Sequence, residues 1–303
     1  LRLRAEVETV ERRLRTVVAE LVGRQRPDEV VGISSHLQEP GAGDNASGVA
    51  TLLEGATLLA ERVASGELDR PDRTIAFVWG DEFRQTEMFL EGSTRKVVAG
   101  LSADMTGQSF ELTGAIALLE RTPDPGAFRV LPPDEHSAWG AGEVAREDIV
   151  ETGLAVVARC ALLDVGLAED GWLTADHPWE GGSDHDVYLE HGVPAVLFWH
   201  FTDFAYHTSL DRPELVDPAE MRRTGAAILA TALALADPRP SDLDRYLVSL
   251  DAECALRITA AETAEDAELV EMWREWGLGA RSWLRVLCLR LEQDEAREVL
   301  GRQ

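Results

Sequence analysis

The sequence predicts an α/β fold built on a largely parallel sheet, followed by a helical extension. Three observations carry this expectation. Up to residue 236, short apolar runs alternate with amphipathic stretches of helical period, the pattern of strands joined by crossover helices. Residues 237–242, Asp-Pro-Arg-Pro-Ser-Asp, then interrupt the chain, because two prolines so close together break any helix. Beyond that seam only helical spacings recur, carried by Leu247, Leu250, Leu256, Leu269, Trp273, Trp276, Trp283, Leu284, Leu287 and Leu291.

Taken in order, the first segment is ambiguous. Leu3, Val7, Val10, Leu14, Val17 and Leu21 suit a helix, yet residues 14–22 are also rich in β-formers and 23–28 read as a turn. With the clear strand 29–35 following, a hairpin over 14–35 is the favoured reading. Residues 45–64 form the clearest helix, with Val49, Leu52, Leu53, Ala56, Leu59, Ala60 and Val63 in one stripe and Gly66 as its stop. Strands are expected at 73–79, 97–103 and 193–199, and helices at 148–167 and 217–236.

Composition narrows the function. The 303 residues hold 45% apolar types, ordinary for a globular protein. The 29 Lys and Arg against 55 Asp and Glu give a formal charge of −26, which argues against nucleic acid and against an anionic membrane surface as partners. The longest small and apolar run, 225–236, falls short of a bilayer span, so no membrane insertion is expected. The three cysteines, Cys160, Cys254 and Cys288, are far apart and form neither a disulfide framework nor a zinc-finger spacing. Residue 1 is Leu, so the natural start is expected to lie upstream.

The acids and histidines fall in a regular way. His36 follows the strand ending at Ser35, Asp81 and Glu82 follow the one ending at Trp79, and Asp104 follows the one ending at Ala103. His207 lies in the loop after the strand ending at Trp199, and Asp44 opens the helix at Asn45. Open α/β sheets bind ligands at the carboxyl ends of their strands, so these groups are expected on one rim. Imidazole and carboxylate donors suit zinc, and a bridging carboxylate would let two such sites share a ligand. A spare acid beside such a centre is what general-base catalysis requires. Singly, each has a structural explanation: Asp44-Asn45 makes a good helix N-cap, and Asp81-Glu82 could be solvated loop acids.

The run of residues 35–49, Ser-His-Leu-Gln-Glu-Pro-Gly-Ala-Gly-Asp-Asn-Ala-Ser-Gly-Val, resembles the metal-binding signature of the M28 family of zinc aminopeptidases. So do residues 77–82, Phe-Val-Trp-Gly-Asp-Glu, and 102–105, Ser-Ala-Asp-Met, and the series continues with Gly182-Ser183-Asp184-His185 and Tyr206-His207-Thr208. The resemblance spans about residues 14–236 and implies a three-layer α/β/α sandwich around a mostly parallel mixed sheet. It divides the chain into an M28-like zinc peptidase domain, 1–238, and a helical extension, 239–303. It further implies two zinc ions (Zn2+) sharing Asp44, one completed by His36 and Asp104 and the other by Glu82 and His207. Asp81 stands at the position of the general base. Gln38, Asp184 and His185 are implied to orient ligands or line the substrate pocket. The activity implied is hydrolysis of N-terminal peptide bonds by a zinc-activated bridging water, on a peptide or aminoacyl substrate with a free N-terminus.

Two departures from the family pattern bear on rate and metal affinity. The base position usually carries Glu, and Asp81 is one methylene shorter. The second residue after the first His is usually an Asp that orients the imidazole, where this chain has the uncharged Gln38. Two alternatives follow: a catalytically weakened relative used for binding, and a zinc amidohydrolase acting on blocked amino acids. The remaining histidines carry no assigned role: His200 is expected to pack beside Trp199 and Phe201, and His136, His177 and His191 to lie at the surface or in turns. The C-terminal helices could mediate an oligomer. Relatives are often exported, so the resemblance leans towards export.

Overall fold

The computed structural model describes residues 4–11, 13–128, 144–169 and 171–289. His136 and Leu291 lie outside the described residues. Seven strands form one mixed sheet: β1 (Val17–Leu21), β2 (Arg26–His36), β3 (Arg73–Gly80), β4 (Lys96–Ala103), β5 (Ile116–Glu120), β6 (Thr174–His177) and β7 (Ala195–Phe201). Their order is β1-β3-β2-β4-β7-β5-β6. The central strands β3, β2, β4 and β7 run parallel, whereas β1 against β3 and β5 against β7 are antiparallel. The strands expected at 29–35, 73–79, 97–103 and 193–199 are therefore present, and β5 and β6 add to them.

Strands β1 and β2 both exist, but they do not pair as a hairpin. Strand β3 lies between them, antiparallel to β1 and parallel to β2. The reason is burial. Every residue of β3 is buried, which demands a partner on both edges, while β1 is largely exposed and suits the rim of the sheet. The intervening turn crosses the start of β3, with Gly23 N–H donating to Thr74 Oγ1 at 3.0 Å and Arg24 N–H to the Pro71 carbonyl at 2.9 Å. A Cβ on Gly23 would meet the Asp72 carbonyl oxygen at 2.3 Å, so this crossing needs glycine.

Helices cover both faces of the sheet. On one lie α1 (Ala46–Ser65), α4 (Leu154–Ala168) and α6 (Pro218–Ala236), packed side by side. On the other lie α2 (Arg84–Gly92) and α5 (His185–Glu190); α3 (Phe110–Thr113) is a single turn before β5. Alternation along the strands sorts the core accordingly. Val31, Ile33, Ile75, Phe77 and Leu101 face α1, α4 and α6, while Val30, Ala76 and Val78 meet Phe89 of α2 and Tyr188 of α5.

The extension forms two helices of similar length, α7 (Leu243–Thr263) and α8 (Ala267–Leu289), in contact with each other, and α7 also packs on α4. Leu250, Trp273, Trp276 and Leu284 join the same apolar cluster as Leu154 and Leu162 of α4. Buried Arg121 pins this junction, pairing with Asp124 at 2.6 Å and with Glu253 of α7 at 2.8 Å beneath the Trp276 ring. No helix among the described residues is long and apolar enough to cross a membrane.

Candidate metal centre

Parallel register brings the ends of β2, β3 and β4 to one rim, with His36 beside Gly80 and Ser34 beside Ser102. Asn45 ties these ends together. Its side chain accepts from the N–H groups of Gly48, in the first turn of α1, and Met105, and donates to Ser35 Oγ and the Ala103 carbonyl. Asn45 thus takes the capping role, and the Asp44 carboxylate is left for other work. Asp211 holds the preceding backbone, accepting from Gly43 N–H at 2.7 Å and Asp44 N–H at 2.9 Å. A Cβ on Gly41 would fall 2.0 Å from Asp211 Oδ2, so glycine there permits the clamp.

The two oxygens of Asp44 face different histidines: Oδ1 lies 3.6 Å from His36 Nε2, and Oδ2 lies 3.0 Å from His207 Nε2. Beside His36 Nε2 stand Asp104 Oδ2 at 3.2 Å and Glu82 Oε1 at 3.8 Å. Beside His207 Nε2 stands Glu39 Oε2 at 3.4 Å, and the ring stacks on Tyr206 with centroids 3.7 Å apart. Four donors at about 2.0–2.1 Å around a tetrahedral ion lie roughly 3.3 Å from one another, so this spacing fits zinc. His36, Asp44 and Asp104 form one group of donors within mutual reach, and Glu39, Asp44 and His207 form another.

The polar accounting agrees. His36 is 1% exposed, yet neither ring nitrogen makes a well-formed hydrogen bond, and Asp104 Oδ1 is likewise buried without a partner. Buried polar groups this exposed to one another's charge are costly unless a cation completes them. Burial drives the Asp44 carboxyl up to about 11, helped by the charges of Asp104, Glu39 and Glu82. Burial also raises Glu82, to about 8, against the pull of His36. For His36, burial works downward, but Asp104, Glu82 and Asp184 outweigh it and hold the imidazole up near 10. In the protein alone, protons occupy positions that suit a metal.

The supporting residues differ in part from expectation. Gln38 does not orient His36. Its amide instead grips Glu82, accepting from Glu82 N–H at 3.0 Å and donating to Oε2 at 3.3 Å, because it lies beyond the end of β2 and faces the β3 loop. Asp184 is fully buried and binds Phe83 N–H, Gln85 Nε2 and Thr86 Oγ1, bracing the loop that carries Glu82. His185 reaches Oε1 of Glu120, a residue of the cavity lining, at 2.9 Å. Asp81 is half-buried, its carbonyl caps Gln85 N–H, and its side chain is not among those lining the cavity over the centre. That cavity is lined by Glu39, Asp44, Glu82, Asp104 and His207, by the apolar Met105, Leu197, Trp199 and Tyr206, and by Glu120 and residues 181–183.

The sequence reading gave no role to Glu39, Asp211, Ser183 or Glu120. Ser183 donates to Asp104 Oδ2 at 2.8 Å. For Glu39 the signal was present, a carboxylate three residues after His36 in the same short loop. For Asp211 there was none, since its role depends on a contact with residues 167 and 168 positions earlier.

Residues 16–110 match the family model of peptidase family M28. The resemblance read from the sequence therefore stands. The matched segment holds His36, Asp44, Asp81, Glu82 and Asp104 but ends before Asp184, His185 and His207. Among solved structures, BSAP, a zinc aminopeptidase from Bacillus subtilis, aligns at 17% identity and a TM-score of 0.53, covering 74% of this chain and 50% of its own. LapB from Legionella pneumophila aligns at 18% identity and 0.51, covering 73% and 55%. A protein from Clostridium acetobutylicum aligns at 14% identity and 0.50, covering 58% of itself but 95% of this chain, so its fold takes in most of α7 and α8. The chain thus spans about half the length of these three solved structures, and the likeness shows a shared fold. No curated protein sequence matches the chain.

Proposed function

We propose that the chain is a zinc-dependent aminopeptidase, with two ions sharing Asp44 and the domain of residues 1–238 as its catalytic unit. The observation that carries this reading is the Asp44 carboxylate, whose oxygens face His36 and His207 separately. His36 and Asp104 would hold one ion; His207, with Glu39 or Glu82, would hold the other. Zinc at such a centre supplies Lewis-acid polarisation of a carbonyl and a water of lowered pKa. The protein's part is positioning. Asp211 fixes the Asp44 backbone, Ser183 orients Asp104, and Gln38 steadies Glu82. Surplus carboxylates around the cavity attract a protonated α-amino group, and the wall of Met105, Leu197 and Trp199 accepts an apolar side chain. Asp81, immediately before Glu82, is the proposed proton carrier.

A second reading, a scaffold with weakened catalysis used for binding, is favoured by one observation: the Asp81 side chain lies outside the cavity lining. Assay of zinc-loaded protein on a panel of free and N-acylated aminoacyl anilides separates the readings. Chelator-sensitive release from free-amine substrates supports the aminopeptidase. Turnover of blocked substrates alone points to an amidohydrolase, and metal uptake without turnover to the binding scaffold.

A further inference from the structure

We infer that Glu120, His177 and Glu180 form a separate binding site for one divalent transition metal of the zinc class. None of the three belongs to the donors around Asp44, and the inference does not depend on peptidase activity. Strands β5 and β6 run parallel with Glu120 and His177 as register partners, so their side chains emerge side by side. Glu180 follows three residues later and turns back onto the same spot. One donor atom from each lies within 4.8 Å of the others.

Glu120 is the deciding residue. It is fully buried, and Oε1 is held by Glu180 N–H at 3.0 Å, Gly181 N–H at 2.8 Å and His185 Nε2 at 2.9 Å. That locks the carboxylate in place, while Oε2, equally buried, has no hydrogen-bond partner and lies 3.9 Å from His177 Nδ1. A rigid carboxylate with one idle oxygen is a costly arrangement for stability alone.

The histidine is oriented for ligation. His177 Nδ1 lies 2.8 Å from the Pro178 carbonyl, to which it donates, so Nε2 is the ring nitrogen left to a metal. Glu180 Oε1 stands 3.5 Å from that nitrogen. One imidazole nitrogen with two carboxylates is a donor set zinc accepts. Glu120 lines the cavity over the Asp44 centre, which provides an entry path. An ion here would brace residues 178–183, the segment that delivers Ser183 to Asp104.

The test uses the full chain with the ring donors of the Asp44 centre removed, His36→Ala with His207→Ala. Zinc-equilibrated, desalted protein is analysed for metal content and titrated with zinc while its melting temperature is followed. This background is expected to retain one zinc per chain and to melt higher with zinc. Adding His177→Ala should abolish both effects. Adding Glu180→Gln, which preserves shape and keeps the fold if His177→Ala does not, should weaken zinc binding at least about tenfold. A background that binds no zinc, or one whose zinc survives Glu180→Gln at unchanged affinity, overturns the inference. Neither result bears on aminoacyl hydrolysis, which the anilide assay decides.

Discussion

Three histidines among the described residues, His36, His185 and His200, are almost wholly buried, and the surroundings of His36 and His200 differ in kind. His200, on β7, is fully satisfied: Nδ1 meets the Met105 carbonyl at 3.1 Å and Nε2 meets Glu220 at 3.2 Å. Glu220 is in turn bound by Trp172 Nε1 and Arg223, so charge and hydrogen bonds close on themselves. His36, at the end of β2, sits among Asp44, Glu82 and Asp104 with both nitrogens lacking a proper partner. Burial is equal in the two places; completeness is not. A closed network stabilises, whereas an open one of surplus acids is a socket for a cation.

Breaking each histidine should sharpen that contrast. The largest effect is expected at the socket: His36→Ala should lower turnover of a free-amine anilide by about 10³-fold or more, with zinc content falling in parallel. Asp81→Asn should leave zinc content unchanged and reduce kcat by roughly 10²–10³-fold; full activity would remove Asp81 from the mechanism.

The third test concerns pH. Folded Asp44 and Glu82 hold protons that unfolded carboxyls release near pH 4, and His36 holds one that an unfolded imidazole releases near 6.5. The folded, metal-stripped chain therefore binds more protons than the unfolded chain. Its stability should fall as pH rises from about 4 towards 10, and zinc should suppress that fall by replacing the protons. Denaturant melts with and without chelator measure it. The smallest effect is expected at the closed network: His200→Ala should cost about 1–3 kcal/mol of stability by leaving Glu220 short of a partner, with zinc content unchanged.

The sequence made the fold legible where period and burial agree. Strands β2, β3, β4 and β7 are continuous apolar runs because both their faces are covered, and α1 and α6 carry single stripes for the same reason. The pairing of β1 was not legible, since edge membership depends on what inserts between two strands rather than on either strand. At the rim, the direct donors could be read because each follows a strand end. Their supports could not. Gln38 was expected beside His36 and instead holds Glu82, and His177, expected at the surface or in a turn, lies half-buried against Glu120. Such contacts join residues brought together only by register.

Crystals of zinc-equilibrated protein, measured on either side of the zinc absorption edge, test the shared carboxylate most directly. The account predicts two anomalous peaks about 3.5–4 Å apart, flanking the Asp44 carboxylate, one beside His36 and one beside His207. A single peak there, or none touching Asp44, would contradict it.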